Sequence, residues 1–425
     1  MRRIYGLLTL LLLPVFWVGM LWLSIKQPGY RKNLAQRLGR NLPILGPSNK
    51  QRLWVHAVSV GETLAIAPLV ERLLSARPDL NVLITSTTPT GAEQVQRLFG
   101  DRVQSAWFPF DSSGAITRSL DHWQPSALIL VETELWPELI HQCSYRGIPT
   151  LLLNARLSQR SLRRYGRLGS LMRNAVRSLH HIACQHVSDA QHFQALGALE
   201  DRLSVVGSLK FDMPKLALEQ QRDALALDLG TRASGRPVLL AASTHTGEDL
   251  LVINAFLKVR EEHPSALLWL APRHPERSAA ILALIATAKL TAIRRSSGQT
   301  VGDSTEVLLI DTLGELPAFM GLASAVFMGG SLVEHGGHNP LEALVFGKPV
   351  ISGPFTTNFS NLYQTLEAEG LVSIVGDGDG LAEALSQSLK LEHRERYDAQ
   401  GPRFVDQHRG ALQAQCDIVE AALSA

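Results

Sequence analysis

The sequence predicts an α/β protein of two Rossmann-like domains, preceded by a transmembrane helix. Three observations predict it. Residues 4–25 form an apolar run of 22 residues without a charge. Beyond it, short continuously apolar segments alternate with longer helical patterns, in two sets separated by a polar stretch. Finally, the glycines, carboxylates and arginines that could carry chemistry gather where the apolar segments end.

The N-terminal run is taken first. A bilayer core is spanned by about 20 apolar residues. The run contains Leu10-Leu11-Leu12-Leu13, with Tyr5, Trp17 and Trp22 suited to interfacial positions, and Pro14 is tolerated in a membrane helix. It is longer than the apolar stretch of a signal peptide, and no Ala-x-Ala-like cleavage site follows, so residues 1–27 are expected to remain as an anchor. Lys26, Arg31, Lys32, Arg37 and Arg40 follow the run, against Arg2 and Arg3 before it. The positive-inside rule therefore places the C-terminal bulk in the cytoplasm. Cys143, Cys184 and Cys416 are scattered and without metal spacing, which fits a reducing compartment. A formal charge of only +2 argues against a nucleic-acid partner.

The first set of strands is read at 53–60, 82–85, 127–131, 150–153, 181–184 and 203–206, within a domain drawn over 28–212. Residues 213–235 read as a polar, weakly structured linker. The second set lies at 237–242, 266–270, 307–310, 325–328 and 349–352, within a domain drawn over 236–405. Residues 406–425 read as one more amphipathic helix. Apolar strands separated by helices imply parallel sheets covered on both faces. Such sheets bind ligands outside the carboxyl ends of their strands.

Several motifs fall at those ends. In Val58-Ser59-Val60-Gly61-Glu62 a carboxylate stands at a strand-to-helix turn, where the helix dipole keeps it ionised and suits it to act as a base. On its own it also reads as a plain first-turn glutamate. Glu132-Thr133-Glu134-Leu135-Trp136 ends another strand with two carboxylates beside a tryptophan; glutamate is seldom buried unpaired, so one of them is expected to face the site or a cation. From Arg156 to Ser188 there are seven arginines and no acid, a pattern suited to phosphates or anionic headgroups. A solvated basic helix remains the other reading, above all for Arg173 and Arg177. Lys210 follows the last strand of the first set, and Pro272-Arg273 ends a strand of the second, with Arg273 placed as a phosphate clamp. The run from Gly329-Gly330 through Gly336-Gly337 to Asn339-Pro340-Leu341-Glu342 joins a strand to a helix. Asn339 suits an N-cap, Pro340 the first helical position and Glu342 the third. The free N–H groups of this turn are expected to hold a phosphorylated ligand. His335 and His338 lack a third ligand, so no metal site is expected.

Taken in order, Trp54-Val55-His56-Ala57-Val58-Ser59-Val60-Gly61-Glu62, Glu132-Thr133-Glu134-Leu135-Trp136-Pro137, Asn154-Ala155-Arg156-Leu157-Ser158, Gly207-Ser208-Leu209-Lys210-Phe211-Asp212, Ala271-Pro272-Arg273-His274 and the glycine-rich stretch closely resemble the 3-deoxy-D-manno-octulosonic acid (Kdo) transferases of Gram-negative bacteria. The resemblance covers nearly the whole chain. It implies a GT-B glycosyltransferase fold, two Rossmann-like domains facing across a cleft. It implies transfer of Kdo from CMP-Kdo to the lipid A precursor lipid IVA at the inner membrane. No cofactor is expected, and no metal, because no Asp-x-Asp is read in the chain and the donor site is cationic. By the resemblance Glu62 is the general base, and Glu132 and Lys210 are transition-state stabilisers. Pro272, Arg273, Leu313, Gly314, Glu315, Asn339, Pro340, Leu341 and Glu342 form the CMP site. Arg156, Arg160, Arg163 and Arg164 are expected to meet the phosphates of the acceptor, with inner-membrane lipids around them. The alternatives are a GT-B enzyme using a UDP-sugar, an anchored nucleotide- or lipid-binding protein without activity, and a non-hydrolysing sugar epimerase.

Overall fold

A computed structural model describes residues 2–46, 50–229 and 235–424. It divides into two compact units, Met1–Met213 with His408–Ala425, and Pro214–Gln407.

The first unit holds strands β1 (Arg52–His56), β2 (Asn81–Ser86), β3 (Gln104–Trp107), β4 (Ala127–Val131), β5 (Thr150–Ala155), β6 (His181–Cys184) and β7 (Leu203–Val205). They pair in the order β3-β2-β1-β4-β5-β6-β7, every pair parallel. The sequence of β4 shows why the sheet is covered on both sides. Leu128 and Leu130 join Trp54, Leu83 and Trp123 in one core, while Ala127, Ile129 and Val131 join Leu53, Val55 and Ile66 in the other. Alternate residues point to opposite faces, so a strand buried on both must be apolar throughout.

The second unit holds β8 (Val238–Thr244), β9 (Leu267–Pro272), β10 (Ala292–Arg294), β11 (Val307–Leu309), β12 (Ala325–Met328), β13 (Val350–Ser352) and β14 (Ser373–Ile374). Their order is β10-β11-β9-β8-β12-β13-β14, again all parallel. In each sheet the chain order reverses beside the first strand, between β1 and β4 and between β8 and β12. That reversal opens the crevice in which doubly wound sheets bind ligands.

Three strands go beyond those expected from the sequence: β3, β10 and β14. All three are edge strands, short and incompletely buried. An edge strand needs no continuous apolar run, so Gln104-Ser105-Ala106-Trp107 and Ala292-Ile293-Arg294 carry little signal.

The segment 213–235 differs from the weakly structured linker expected. It carries the helix Lys215–Leu229, which belongs to the second unit and buries Leu218, Leu225 and Leu229. Exposed Leu216 and Leu227 on its other faces blur that stripe, which hides the helix in a pattern reading. Residues 230–234 of the segment lie outside the described residues, as do Met1 and Ala425. The tail holds one helix, Ala411–Ser424, which returns to the first unit; the helix before it, Leu391–Gln407, ends in the second. The break falls at Gly410, with φ of 111°. Asp212 accepts the N–H groups of Gly410 (2.9 Å) and Leu412 (2.8 Å), and Ala411, Cys416, Val419 and Leu423 enter the core beside Ile66 and Leu69.

The chain begins with the helix Arg2–Lys26. Its segment Ile4–Ile25 is long and apolar enough to cross a membrane, and almost none of it is buried.

Candidate functional site

Each sheet carries a group of polar residues at its switch point, and the two are taken separately. In the first unit, β1 ends at His56 and the helix Val60–Ala76 begins after the N-cap Ser59. Ser59 Oγ accepts the Glu62 N–H at 3.4 Å, and its hydroxyl donates back to Glu62 Oε1 at 3.2 Å. Glu62 Oε2 accepts the Val58 N–H at 2.7 Å. This reciprocal cap fixes the carboxylate at the carboxyl edge of the sheet. Burial pushes Glu62 up to about 7, against the Val58 hydrogen bond, and the nearby Glu134 and Glu132 carboxylates push it further the same way. A base of that strength is matched to neutral pH.

Glu132 follows β4 with φ of 59°, a left-handed conformation that costs a non-glycine residue about 1 kcal/mol or more. Asn154, at the end of neighbouring β5, has φ of 50°. Asn154 is completely buried, and its Oδ1 accepts the Leu209 N–H at 3.2 Å, which sets the turn Leu209–Phe211 that bears Lys210. Burial lowers the Lys210 ammonium, while Glu132 holds it up and Arg156 lowers it. The first unit therefore brings together Glu62, Glu132, Lys210 and Arg156, as the sequence motifs imply.

Two further residues in this group, to which the family resemblance gives no role, are Glu134, weighed above with Glu132, and His56. Glu134 is pushed up to about 7, first by burial, and its Oε2 accepts the Trp136 Nε1–H at 2.8 Å. His56 lies wholly buried, stacked on Phe108 with ring centroids 3.7 Å apart. Its Nδ1 is 3.0 Å from the Thr85 carbonyl, which can only accept, so Nδ1 carries the proton. Burial pushes the ring down to about 3, so the 3.8 Å approach of Nε2 to Glu134 Oε2 is not an ion pair. An apolar strand closing in a histidine is the available signal for His56.

The arginines lie mostly on two helices, Gln159–Gly166 and Ser170–Ser178. Arg160, Arg163 and Arg164 are exposed, Arg156 is half-buried, and none of the seven pairs with a carboxylate among the described residues. Tyr165 donates to the Thr133 carbonyl at 3.1 Å and ties the first of these helices to the loop that bears Glu132 and Glu134.

In the second unit the glycine-rich turn differs from the expectation. The N–H groups of Gly330 (2.7 Å), Ser331 (3.0 Å) and Leu332 (3.0 Å) are all accepted by the carboxylate of Glu248, which also accepts the His245 N–H at 2.8 Å. Glu248 is fully buried at the start of the helix Glu248–Glu262. The anion that this turn holds is thus one of the protein's own. Gly329 is needed for a different reason: a Cβ there would lie 2.5 Å from the Ser243 carbonyl. The following helix is only the single turn Leu341–Leu344, with Pro340 at its N-cap. Asn339 Oδ1 accepts the Leu341 N–H at 3.3 Å, and the Asn339 side chain, rather than the cap backbone, meets Glu342. Burial pushes Glu342 up to about 7. So short a helix adds little dipole.

Pro272 closes β9, and Arg273 follows with an exposed side chain. Burial first, then the neighbouring histidines and the Arg273 charge, push both His245 and His338 down to about 4. His245 stacks on His335 with centroids 4.1 Å apart, and its Nε2 lies 3.3 Å from His338 Nε2, so of these two neutral rings one donates its Nε2–H and the other accepts it. Leu313 is exposed, Gly314 has φ of 91°, and the Glu315 carboxylate is held by Arg295 at 2.7 Å. Among the described residues no three His, Cys, Asp or Glu side chains are placed to hold a metal. Asp377-Gly378-Asp379 does have the Asp-x-Asp spacing, which corrects the expectation that the chain lacks one. Asp377 caps its own helix through the N–H groups of Asp379 (3.1 Å) and Gly380 (2.9 Å), and Asp379 pairs with Lys258 at 2.6 Å.

The family described as 3-Deoxy-D-manno-octulosonic-acid transferase (kdotransferase) matches residues 32–213, and Glycosyl transferases group 1 matches 251–404. The 3-deoxy-D-manno-octulosonic acid transferase of Haemophilus influenzae is 37% identical over 430 residues, covering 99% of both chains. That of Bordetella pertussis is 36% identical over 436 residues, again with 99% of both covered. Among solved structures, a glycosyltransferase from Rickettsia africae is 12% identical with a TM-score of 0.55, covering 88% of this chain and 99% of that one, which is a likeness of fold.

Proposed function

The chain belongs to the 3-deoxy-D-manno-octulosonic-acid transferase family, and we propose that it transfers Kdo from CMP-Kdo to the lipid A precursor lipid IVA at the cytoplasmic face of the inner membrane, without a metal. The observation that carries the reading is the Glu62 carboxylate, capped at the switch point of the first sheet and raised to about 7.

In the proposed reaction Glu62 takes the proton from the acceptor hydroxyl as its oxygen bonds to the anomeric carbon of Kdo. The bond from that carbon to the phosphate oxygen breaks, and CMP leaves with the electron pair. A sugar hydroxyl is a poor nucleophile, so a positioned base accounts for about 10²–10⁴-fold of the rate. Glu132 and Lys210 are proposed to meet the charge that develops. CMP is already a good leaving anion, and the second unit would hold it through Pro272, Arg273, Leu313, Gly314, Glu315 and the Asn339–Glu342 stretch. With the glycine-turn N–H groups engaged by Glu248, the phosphate would rely on Arg273 and the neutral imidazoles beside it rather than on the turn. Arg156, Arg160, Arg163 and Arg164 would face the acceptor's phosphates, and the apolar N-terminal helix would keep the enzyme at the membrane.

Donor choice tests the reading. Membranes bearing the chain, given radiolabelled CMP-Kdo, should label the lipid fraction, while UDP-N-acetylglucosamine should not. Label from the UDP-sugar alone would replace Kdo transfer with another membrane-surface glycosyl transfer.

A further inference from the structure

A groove of about 200 Å³ lies within the first unit, between the N-terminal helix and the loop after β3. One wall is the helix stripe Tyr5, Thr9, Leu13 and Phe16, spaced for a single helix face. The other wall is Phe108, Phe110 and Trp136. Tyr5 holds the helix in place by donating to Asp111 Oδ2 at 2.7 Å, and Phe16 meets Phe110 edge-on with centroids 4.1 Å apart. Leu11 and Val18 point elsewhere, 65% and 67% exposed.

Two features distinguish the groove from ordinary apolar surface. Its inner wall is continuous with the candidate catalytic group: Phe108 stacks on His56, and Trp136 donates to Glu134. It also has a polar end that is not satisfied. Arg37 is 3% exposed and donates through Nη2 to the Thr87 carbonyl at 2.8 Å. Yet Arg37 Nε and Thr87 Oγ1 are buried without a hydrogen-bond partner among the described residues, and both residues line the groove. Buried donors left unpaired are costly and call for a ligand group.

We propose that this groove seats one acyl chain of the lipid acceptor, the hydrocarbon lying along Leu13, Phe16 and Phe110 and the carbonyl of its ester or amide linkage meeting Arg37 Nε and Thr87 Oγ1. The proposal rests on the lipid acceptor proposed above and adds what that reading lacks, a place for the chain that leaves the sugar at Glu62. A cavity of about 150 Å³ holds a benzene, so this volume suits a short length of one chain rather than a whole lipid. The rest of the chain would remain in the bilayer, which the anchor's exposed face also meets.

The test uses the full chain in phosphatidylethanolamine nanodiscs. Leu13→Trp, which fills the groove, should raise the KM for lipid IVA about tenfold, with the CMP-Kdo KM unchanged. Leu11→Trp, on the exposed face of the same helix, should behave as wild type. With the acceptor's acyl chains removed, Leu13→Trp and wild type should be alike. A second readout needs no catalysis: lipid IVA carrying a photoactivatable diazirine in one acyl chain should crosslink to residues 9–16 or 108–112, competed by unlabelled lipid IVA. Equal KM values for Leu13→Trp and Leu11→Trp, crosslinks elsewhere, or competition by added phosphatidylethanolamine but not by lipid IVA would each overturn the proposal. If wild type transferred no Kdo to lipid IVA, the function proposed above would fall, while the crosslinks would still report whether the groove takes the acyl chain.

Discussion

Two glutamates occupy equivalent positions and have opposite surroundings. Each follows a glycine at the start of the helix after the first strand of its sheet, as Gly61-Glu62 and Gly247-Glu248. Glu248 is wrapped by four backbone N–H groups and is fully buried. Glu62 has one backbone N–H and a serine, and faces two further carboxylates. Nothing in the local sequence separates the two, because the difference lies in what the opposite loop donates. Glu62 is proposed as the base on the family resemblance; the part Glu248 plays was not foreseen, since its partners are about eighty residues away in the chain. Glu62→Gln should lower turnover on the order of 10²–10⁴-fold in a transfer assay, with CMP binding, read by calorimetry, nearly unchanged. The kcat/KM of wild type should rise with pH through a limb near 7 as Glu62 loses its proton. Glu134→Gln removes a like charge and should move that limb to lower pH; an unmoved limb would remove Glu134 from the site. The same variant has a stability signature. A carboxyl held at about 7, against an ordinary 4.5, binds its proton more tightly when folded, so that contribution is full below about pH 4.5 and is lost as pH rises to about 7. The Tm of Glu134→Gln relative to wild type should therefore be higher at pH 8 than at pH 5.

At the scale of elements, the central strands were legible, and of the four edge strands only β7 was. A strand such as β4, buried on both faces, announces itself by being apolar throughout, while β3, β10 and β14 each leave one flank open. The helix Lys215–Leu229 shows the same limit, since three buried leucines do not make a strong periodic signal. Of the helix Gln159–Gly166 the sequence showed the arginines and not the helix. Its arginines stand exposed, and Tyr165 fastens it to the Glu132–Glu134 loop. Replacing Arg163 and Arg164 with glutamine should raise the acceptor KM, by about tenfold or more for each arginine–phosphate hydrogen bond removed. The CMP-Kdo KM should not change, and the effect should shrink as salt rises. A double variant that weakened CMP-Kdo binding instead would assign these arginines to the donor.

At the scale of the molecule, the doubling of a Rossmann-like unit was readable from alternating apolar runs, and the returning C-terminal helix was not. Its place depends on Asp212 capping Gly410 and Leu412 across almost two hundred residues. Everything proposed depends on this pair of units moving Kdo onto a lipid with its own carboxylates. The most direct measurement incubates the purified full chain with CMP-Kdo and lipid IVA in excess EDTA and weighs the lipid product by mass spectrometry. Wild type should yield lipid IVA heavier by one or more Kdo residues, and Glu62→Gln unmodified lipid at the same time point. Unmodified lipid from wild type that gains Kdo only when magnesium or zinc is restored, or a Glu62→Gln product formed at the wild-type rate, would contradict the proposal.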